Sequence, residues 1–385
     1  VIRDLAAAAA VGVAAAATLR ADLRRPDVRR WEPDSYDYAI RMLMRRGIPF
    51  AQARDRARAF VEAKFAEVGD AEEYAEAVAG EEPEWWALFA PRVVYPALAA
   101  VLYPRRGFAA LTDVAAVSHV ASTVLLYRFL RRFGGPASAA ALALWYARSE
   151  AVRDAGAHGM NDSTALLLWV GTLDAMTELA EHGTGTARFV VLAALLSFTR
   201  PLPYLPFGSG VALALAGIAA RDRTRVRAGA TIAATSGACA LAIAAVLARA
   251  GVPSTREHVQ RVRESQRHEF RTGALRDVLA RLGLADAPEH SLARWYATAA
   301  AASVATSLKH AVTAVVPVLA VPALARARTR SVPVLAGALL GGLVGCIADP
   351  APTSTRRTVV LPLYPVFAAG CVLGVETLLR SRWGR

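Results

Sequence analysis

The chain has 385 residues, 55% of them hydrophobic, with a mean hydropathy of +0.32 and a formal net charge of +13. A soluble domain is about 45–50% apolar, so this excess, gathered in runs of about twenty residues, excludes a plain globular enzyme and predicts helices that cross a bilayer. Continuous runs in place of alternating ten-residue strands exclude a membrane β-barrel, and arginines clustered between apolar runs make the positive charge a topological signal, with no nucleic-acid partner expected.

The first apolar run, 5–19, lacks a clear small-residue cleavage site and passes straight into polar sequence, so it reads as a helix and not as a cleavable signal. Residues 20 to 84 are polar with a helical period. One helix is predicted from Pro33-Asp34 and a second over 50–67, while Asp70 is placed to cap a third. Trp85-Trp86 restores apolar character, as paired indoles do at a membrane interface. Between Arg92-Val93-Val94-Tyr95-Pro96 and Tyr103-Pro104-Arg105-Arg106-Gly107 lies only a short apolar run, read as re-entrant or interfacial in preference to a full span.

Further spans are predicted at 112–130, 137–151, 163–179, 189–198, 208–219, 228–248, in a segment ending near 324, at 332–347 and after 358. The polar stretch 252–290 mixes arginine and glutamate at helical spacing and reads as a solvated or amphipathic layer. The expected fold is therefore an all-α polytopic membrane protein of about ten transmembrane helices. It forms one domain, 1–385, with a long first extracytoplasmic loop at 20–111 carrying interfacial helices and a second, amphipathic one at 252–290. With the N-terminus inside, the basic groups 128–132, 188, 221–227, 326–330 and 380–385 all fall on the cytoplasmic side.

On this topology the chemistry-bearing residues converge on the opposite face. Asp34 and Asp37, in Asp34-Ser35-Tyr36-Asp37-Tyr38, stand just beyond the first span. A carboxylate there can take a proton from a hydroxyl if burial or a neighbouring acid raises its pKa, or Asp34 can simply cap the following helix. Asn161-Asp162 opens a span and reads first as a cap, with substrate orientation as the functional alternative. Arg200 sits at a proline-broken helix end, with Lys309-His310 and Arg356-Arg357 in the same layer. Such cations suit a lipid-borne phosphate or snorkel to the interface. Asp174 is the one acid well inside a span, without an assignable partner. The spacing of Asp154, His158 and Asp162 leaves a divalent metal open, and no cofactor is otherwise indicated. Cys239, Cys346 and Cys371 have no CxxC spacing and read as packing residues. P-loop, GxSxG, HExxH and Rossmann fingerprints are missing, which argues against nucleotide chemistry.

Several short elements, in order, resemble the GT-C class of integral-membrane glycosyltransferases. Asp34-x-x-x-Tyr38 followed by Gly47 is similar to its D…Y…G start of the first outer loop, and Arg92-Val93-Val94-Tyr95-Pro96-Ala97-Leu98 to its R-P-L-Y-P-L segment. Arg131-Arg132-Phe133-Gly134-Gly135 resembles a cytoplasmic basic-glycine turn, and Asn161-Asp162 the acidic opening of a span. Thr199-Arg200-Pro201 resembles the LTRP element, and Arg357 to Pro365 the RY-lP-P element. The resemblance implies sugar transfer from a polyprenyl-phosphate donor to a glycan, lipid or protein acceptor, with inversion, at the outer face of a bacterial cell membrane. It casts Asp34 as catalytic base and Arg200 with Arg356 or Arg357 as contacts to the lipid phosphate. Asp37, Tyr38, Arg92, Asp162, Lys309 and His310 complete the expected substrate site. The alternatives are a transporter or flippase of a lipid-linked substrate, which needs ionisable or broken-helix features near the midplane, and an assembly protein that merely shares the architecture.

Overall fold

Alanine and leucine lose little side-chain freedom in a helix, and they fill the apolar runs of this chain. The computed structural model describes residues 2–24, 31, 33–68, 89–251, 329–348 and 361–383. Among these every regular element is an α-helix: α1 (Ile2–Leu23), α2 (Pro33–Arg45), α3 (Phe50–Val68), α4 (Val94–Arg106), α5 (Ala109–Leu130), α6 (Pro136–Arg148), α7 (Glu150–Ala157), α8 (Asp162–His182), α9 (Thr186–Ser197), α10 (Tyr204–Ala219), α11 (Arg223–Arg249), α12 (Val332–Ala348) and α13 (Leu361–Trp383).

Three of them are long and apolar enough to cross a bilayer: α1 over Asp4–Leu23, α5 and α11. Thr186–Ser197, Tyr204–Ala219, Val332–Gly342 and Pro362–Glu376 are apolar but shorter. Among the described residues three helices thus combine the length and the hydropathy of a span. Local breaks shorten some of the others: Pro201 and Pro203 follow the end of α9, and extended backbone at Ser149 (ψ 128°) ends α6. The segment expected near 292–324 and the layer at 252–290 lie outside the described residues, as do Asp70 and Trp85-Trp86.

Two boundaries differ from expectation for clear reasons. The stretch between the spans predicted at 137–151 and 163–179 holds most of α7, because Val152, Ala155 and Ala157 are buried along a short helix. Arg153 on that helix reaches both carboxylate oxygens of Asp22 in α1, at 3.0 and 2.8 Å. The basic patch at 221–227 lies mostly inside α11, whose start is set by Asp222 accepting from the Thr224 and Arg225 amides. Helix α4 rises only about 20 Å for its thirteen residues, short of a bilayer core. Its Leu98, Val101 and Leu102 are exposed on one face.

Packing forms two apolar cores. The larger runs through the bundle of α1 and α5 to α13, with Trp169 of α8 fully buried in it. The smaller joins Tyr38 and Leu43 of α2, Ala57 and Val61 of α3, Tyr95 of α4 and Leu111 of α5. Helices α2, α3 and α4 thus form a layer laid over the first turns of α5.

The far end of α8 is held by ions. Asp174 bridges Arg132 (2.7 Å) and Arg188 (2.6 Å), Arg188 reaches Glu178 at 3.1 Å, and Arg132 lies 3.5 Å from Glu181. Arg330 reaches the Glu181 carbonyl at 3.4 Å. The acid without a partner in the sequence is therefore a structural one, twelve residues and about 18 Å from Asp162 along the helix axis. Basic groups from 128–132, 188 and 330 meet at one end of the bundle.

Close approach of α10 and α11 requires glycine. A Cβ on Gly210 would stand 2.5 Å from the Ala233 nitrogen and 2.8 Å from the Gly229 oxygen. Gly208 meets the backbone of Gly337 and Gly341 in α12 in the same way. Gly210→Ala should destabilise the protein by about 1–3 kcal/mol. Gly237→Ala, where nothing lies within 4 Å, should be neutral or stabilising by up to about 1 kcal/mol. Thermal unfolding of the two variants in detergent checks this; equal melting temperatures would remove the glycine crossing as a determinant.

Candidate functional site

The site is built from α2. Pro33 has the fixed φ that suits a first helical position, which puts Asp34 inside the first turn and not at the cap. The cap reading of Asp34 is thereby corrected, although its charge still favours the positive end of the helix. Tyr36, Ala39, Ile40 and Leu43, at helical spacing, are buried towards α3 and α4. That leaves Asp34, Asp37, Arg41 and Arg45 as a less buried stripe along the remaining face.

Arg92, just before α4, closes over this stripe. Its Nη1 donates to the Tyr38 hydroxyl at 3.2 Å, and its guanidinium lies 4.4 Å from the Phe89 ring centre. Tyr38 packs edge-on against Phe89 and Tyr95, with ring centres 5.3 and 5.1 Å apart. Burial and the neighbouring Asp34 charge push the Asp37 carboxyl up to about 7, against the pull of Arg41 and Arg92. Burial also lowers the Arg41 guanidinium to about 10. It opposes the Arg92 cation too, but Tyr38, Asp34 and Asp37 outweigh it and hold that pKa above its ordinary value.

Backbone bonds carry this group to a second one. The Val93 and Val94 amides donate to the Phe198 carbonyl at 2.8 and 3.2 Å. The next residue's carbonyl, Thr199, accepts from Asn161 Nδ2 at 2.5 Å. Arg200 Nη1 then pairs with Asp162 and reaches Asn161 Oδ1 at 3.4 Å. Asn161 occupies the cap position of α8 but makes no side-chain capping bond. The cap reading of Asn161-Asp162 therefore fails: one side chain is diverted to the Thr199 turn and the other to a cation.

Asp162 and Arg200 are 4% and 6% exposed. With Trp169, Leu202 and Pro362 they line a cavity of about 10 Å³, the size of one water. Trp169 Nε1 donates to the Pro362 carbonyl at 2.6 Å, fixing the start of α13 beside it.

Thus Asp34, Asp37, Tyr38 and Arg92 form one cluster, and Asp162 and Arg200 form an adjoining buried pair, of which the Arg200 charge is felt at Tyr38. Lys309, His310, Arg356 and Arg357 lie outside the described residues. Asp154, His158 and Asp162 do not gather: among the described residues no group of three or more His, Cys, Asp or Glu side chains is placed to hold a metal ion. Arg41 and Arg45 were not singled out in the sequence, although the 34–37–41–45 spacing puts them on the face of the two carboxylates.

No protein-family model, curated protein or solved structure matches this chain.

Two measurements follow from this geometry. Removing one partner of a buried ion pair leaves an uncompensated charge, so Arg200→Met should destabilise by about 3–5 kcal/mol. Asp162→Leu with Arg200→Met should recover much of that loss in a double-mutant cycle; additive losses would deny the pair. A carboxyl raised from 3.8 to about 7 on folding makes the native state bind more protons between those values. Asp37 therefore subtracts stability as pH rises from about 4 to 7, with the full penalty above 7, bounded at about 4 kcal/mol. Asp37→Asn should flatten that slope and raise the melting temperature at pH 8, and an unchanged slope would refute the assignment.

Proposed function

We propose that this chain is a glycosyltransferase of the GT-C type, moving a sugar from a polyprenyl-phosphate donor to an acceptor hydroxyl. In this reading the bundle carries about ten spans. The α2–α4 layer lies at the extracytoplasmic face of the cell membrane, and the basic end of α8 faces the cytoplasm. The observation that carries the reading is the Asp34–Asp37 pair. Two carboxylates three residues apart on one helix face, one with its proton affinity lifted to about 7, stand beside cations in a layer that rests on an apolar bundle. A base near the working pH is what hydroxyl deprotonation needs.

The step is an inverting displacement. The acceptor oxygen attacks the anomeric carbon, the bond from that carbon to the phosphate oxygen breaks, and the polyprenyl phosphate leaves with the electron pair. The hydroxyl proton passes to the carboxylate pair. Asp34, at the start of α2, is assigned contact with the hydroxyl. Asp37 tunes its charge. Arg92, hydrogen-bonded to Tyr38, sits beside the pair and stabilises negative charge there. The Asp162–Arg200 pair supports the turn that holds the Arg92 segment in place. The transport alternative drew on Asp174, which lies about two turns inside the C-terminal end of α8 and is already paired with Arg132 and Arg188.

In membranes supplied with a set of labelled polyprenyl-phosphate sugars, Asp34→Asn should lower transfer by about 10²–10⁴-fold at unchanged protein level. Asp37→Asn should keep measurable transfer but lose the inflection near pH 7. Loss confined to Asp37→Asn would move the base role to Asp37. Wild-type activity in both variants would defeat the reading.

A further inference from the structure

Trp31 stands two residues before α2 and packs from the α2–α4 layer onto the bundle. On the layer its ring lies edge-on to Phe60 of α3, with centres 4.7 Å apart, and Phe60 in turn stacks on Phe108 at 4.2 Å. On the bundle it meets Gly159, in the turn between α7 and α8. A Cβ on Gly159 would stand 2.9 Å from Trp31 Cζ3 and 3.2 Å from Cε3. Those distances are too short for a carbon against a rigid indole, so the ring seats there because residue 159 has no side chain.

The turn is held to the bundle on both sides. Within it, the Met160 amide donates to the His158 carbonyl at 2.8 Å. Before it, Gly156 of α7 meets His119 of α5 as closely, a Cβ there standing 2.8 Å from the ring Cγ, and Arg153 ties α7 to Asp22 of α1. After it, Asn161 donates to the Thr199 carbonyl and Asp162 pairs with Arg200. A methyl group added at residue 159 therefore displaces Trp31 in preference to the turn.

Trp31 is three residues from Asp34, and both lead into or lie on α2. Arg92 belongs to a different segment, strapped to the bundle by the Val93 and Val94 amides. The separation between the α2 carboxylates and Arg92 thus depends on where the start of α2 is held against the bundle. We infer that Trp31, seated on Gly159, is a positioning residue that sets Asp34 and Asp37 against Arg92. Its effect on rate rests on the proposed transfer reading, since a misplacement of about 1 Å costs up to about a hundredfold. Its effect on the carboxylates stands without that reading: Asp37 answers to Asp34, Arg41 and Arg92 as well as to burial, so its titration reports their spacing.

The test uses the full chain in nanodiscs and two measurements. One is the pH at which the melting temperature changes slope. The other is kcat and KM for transfer from labelled polyprenyl-phosphate sugars. Gly159→Ala, which pushes the indole out, and Trp31→Ala, which removes it, should both move the inflection from its wild-type place near pH 7. Both should also lower kcat about ten- to hundredfold with KM nearly unchanged. Phenylalanine lacks Cε3 and Cζ3, so Trp31→Phe added to Gly159→Ala should restore most of both signals, a non-additive cycle. Gly237→Ala, where nothing lies within 4 Å, should match wild type. A lower melting temperature with inflection and kcat unmoved would reduce the contact to packing and overturn the inference, as would a double variant no better than Gly159→Ala. If Gly159→Ala does not fold, Trp31→Ala decides by the same two measurements. An inflection that moves and returns as expected, with no transfer from any donor even in wild type, would sink the enzyme reading and keep the positioning role. Wild-type transfer that these substitutions leave alone would do the reverse.

Discussion

A guanidinium and a carboxylate removed from water must find each other, because either alone is left with an uncompensated charge. Arg200 and Asp162 meet this requirement, and much else follows from it. The pair fixes the turn after α9 against the start of α8. That turn offers the Phe198 carbonyl to Val93 and Val94, so the segment with Arg92 is placed by backbone bonds and not by its own side chain. Arg92 then settles over Phe89 and Tyr38, and Tyr38 anchors the helix whose other face carries Asp34 and Asp37. A buried pair near the bundle top thus sets the position of a carboxylate pair on a separate helix.

The same logic operates at the opposite end of α8, with another outcome. Asp174, Glu178 and Glu181 are shared between Arg132 and Arg188, with more exposure. That network ties three helix ends together. The two ends of one helix therefore hold ionic groups of different character: a single buried pair beside a site and a more exposed, many-membered clasp.

Much of this was legible in the residues. Long alanine-rich and leucine-rich runs announced helices, and most cores fell where the runs did. The acidic and aromatic knot at 34–38, Arg92, Asp162 and Arg200 all meet near one end of the bundle. Sequence reasoning went astray where one residue had two uses. Asn and Asp before an apolar run signal a cap, yet Asn161 and Asp162 are claimed by partners thirty-eight residues or more away, which no local pattern reveals. Alanine-rich α7 was hidden in a stretch whose charged residues suggested a loop, because burial of only a few small side chains sustains it. Spans were read from apolar length alone, which does not show where breaks such as Ser149 fall; three of the described helices combine the length and hydropathy of a span.

The two apolar cores have a mechanical meaning. Helices α2, α3 and α4 own a core that joins the main bundle chiefly through the first turns of α5, with Gly107 at positive φ forming the elbow between α4 and α5. A layer with its own interior can shift as a unit, since sliding it exposes little of either core. The carboxylates and Arg41 ride on that layer, while Arg200 belongs to the bundle. The Val93 and Val94 bonds to the Phe198 carbonyl are then the strap between the two sets of charges, and a ligand touching both would reinforce it.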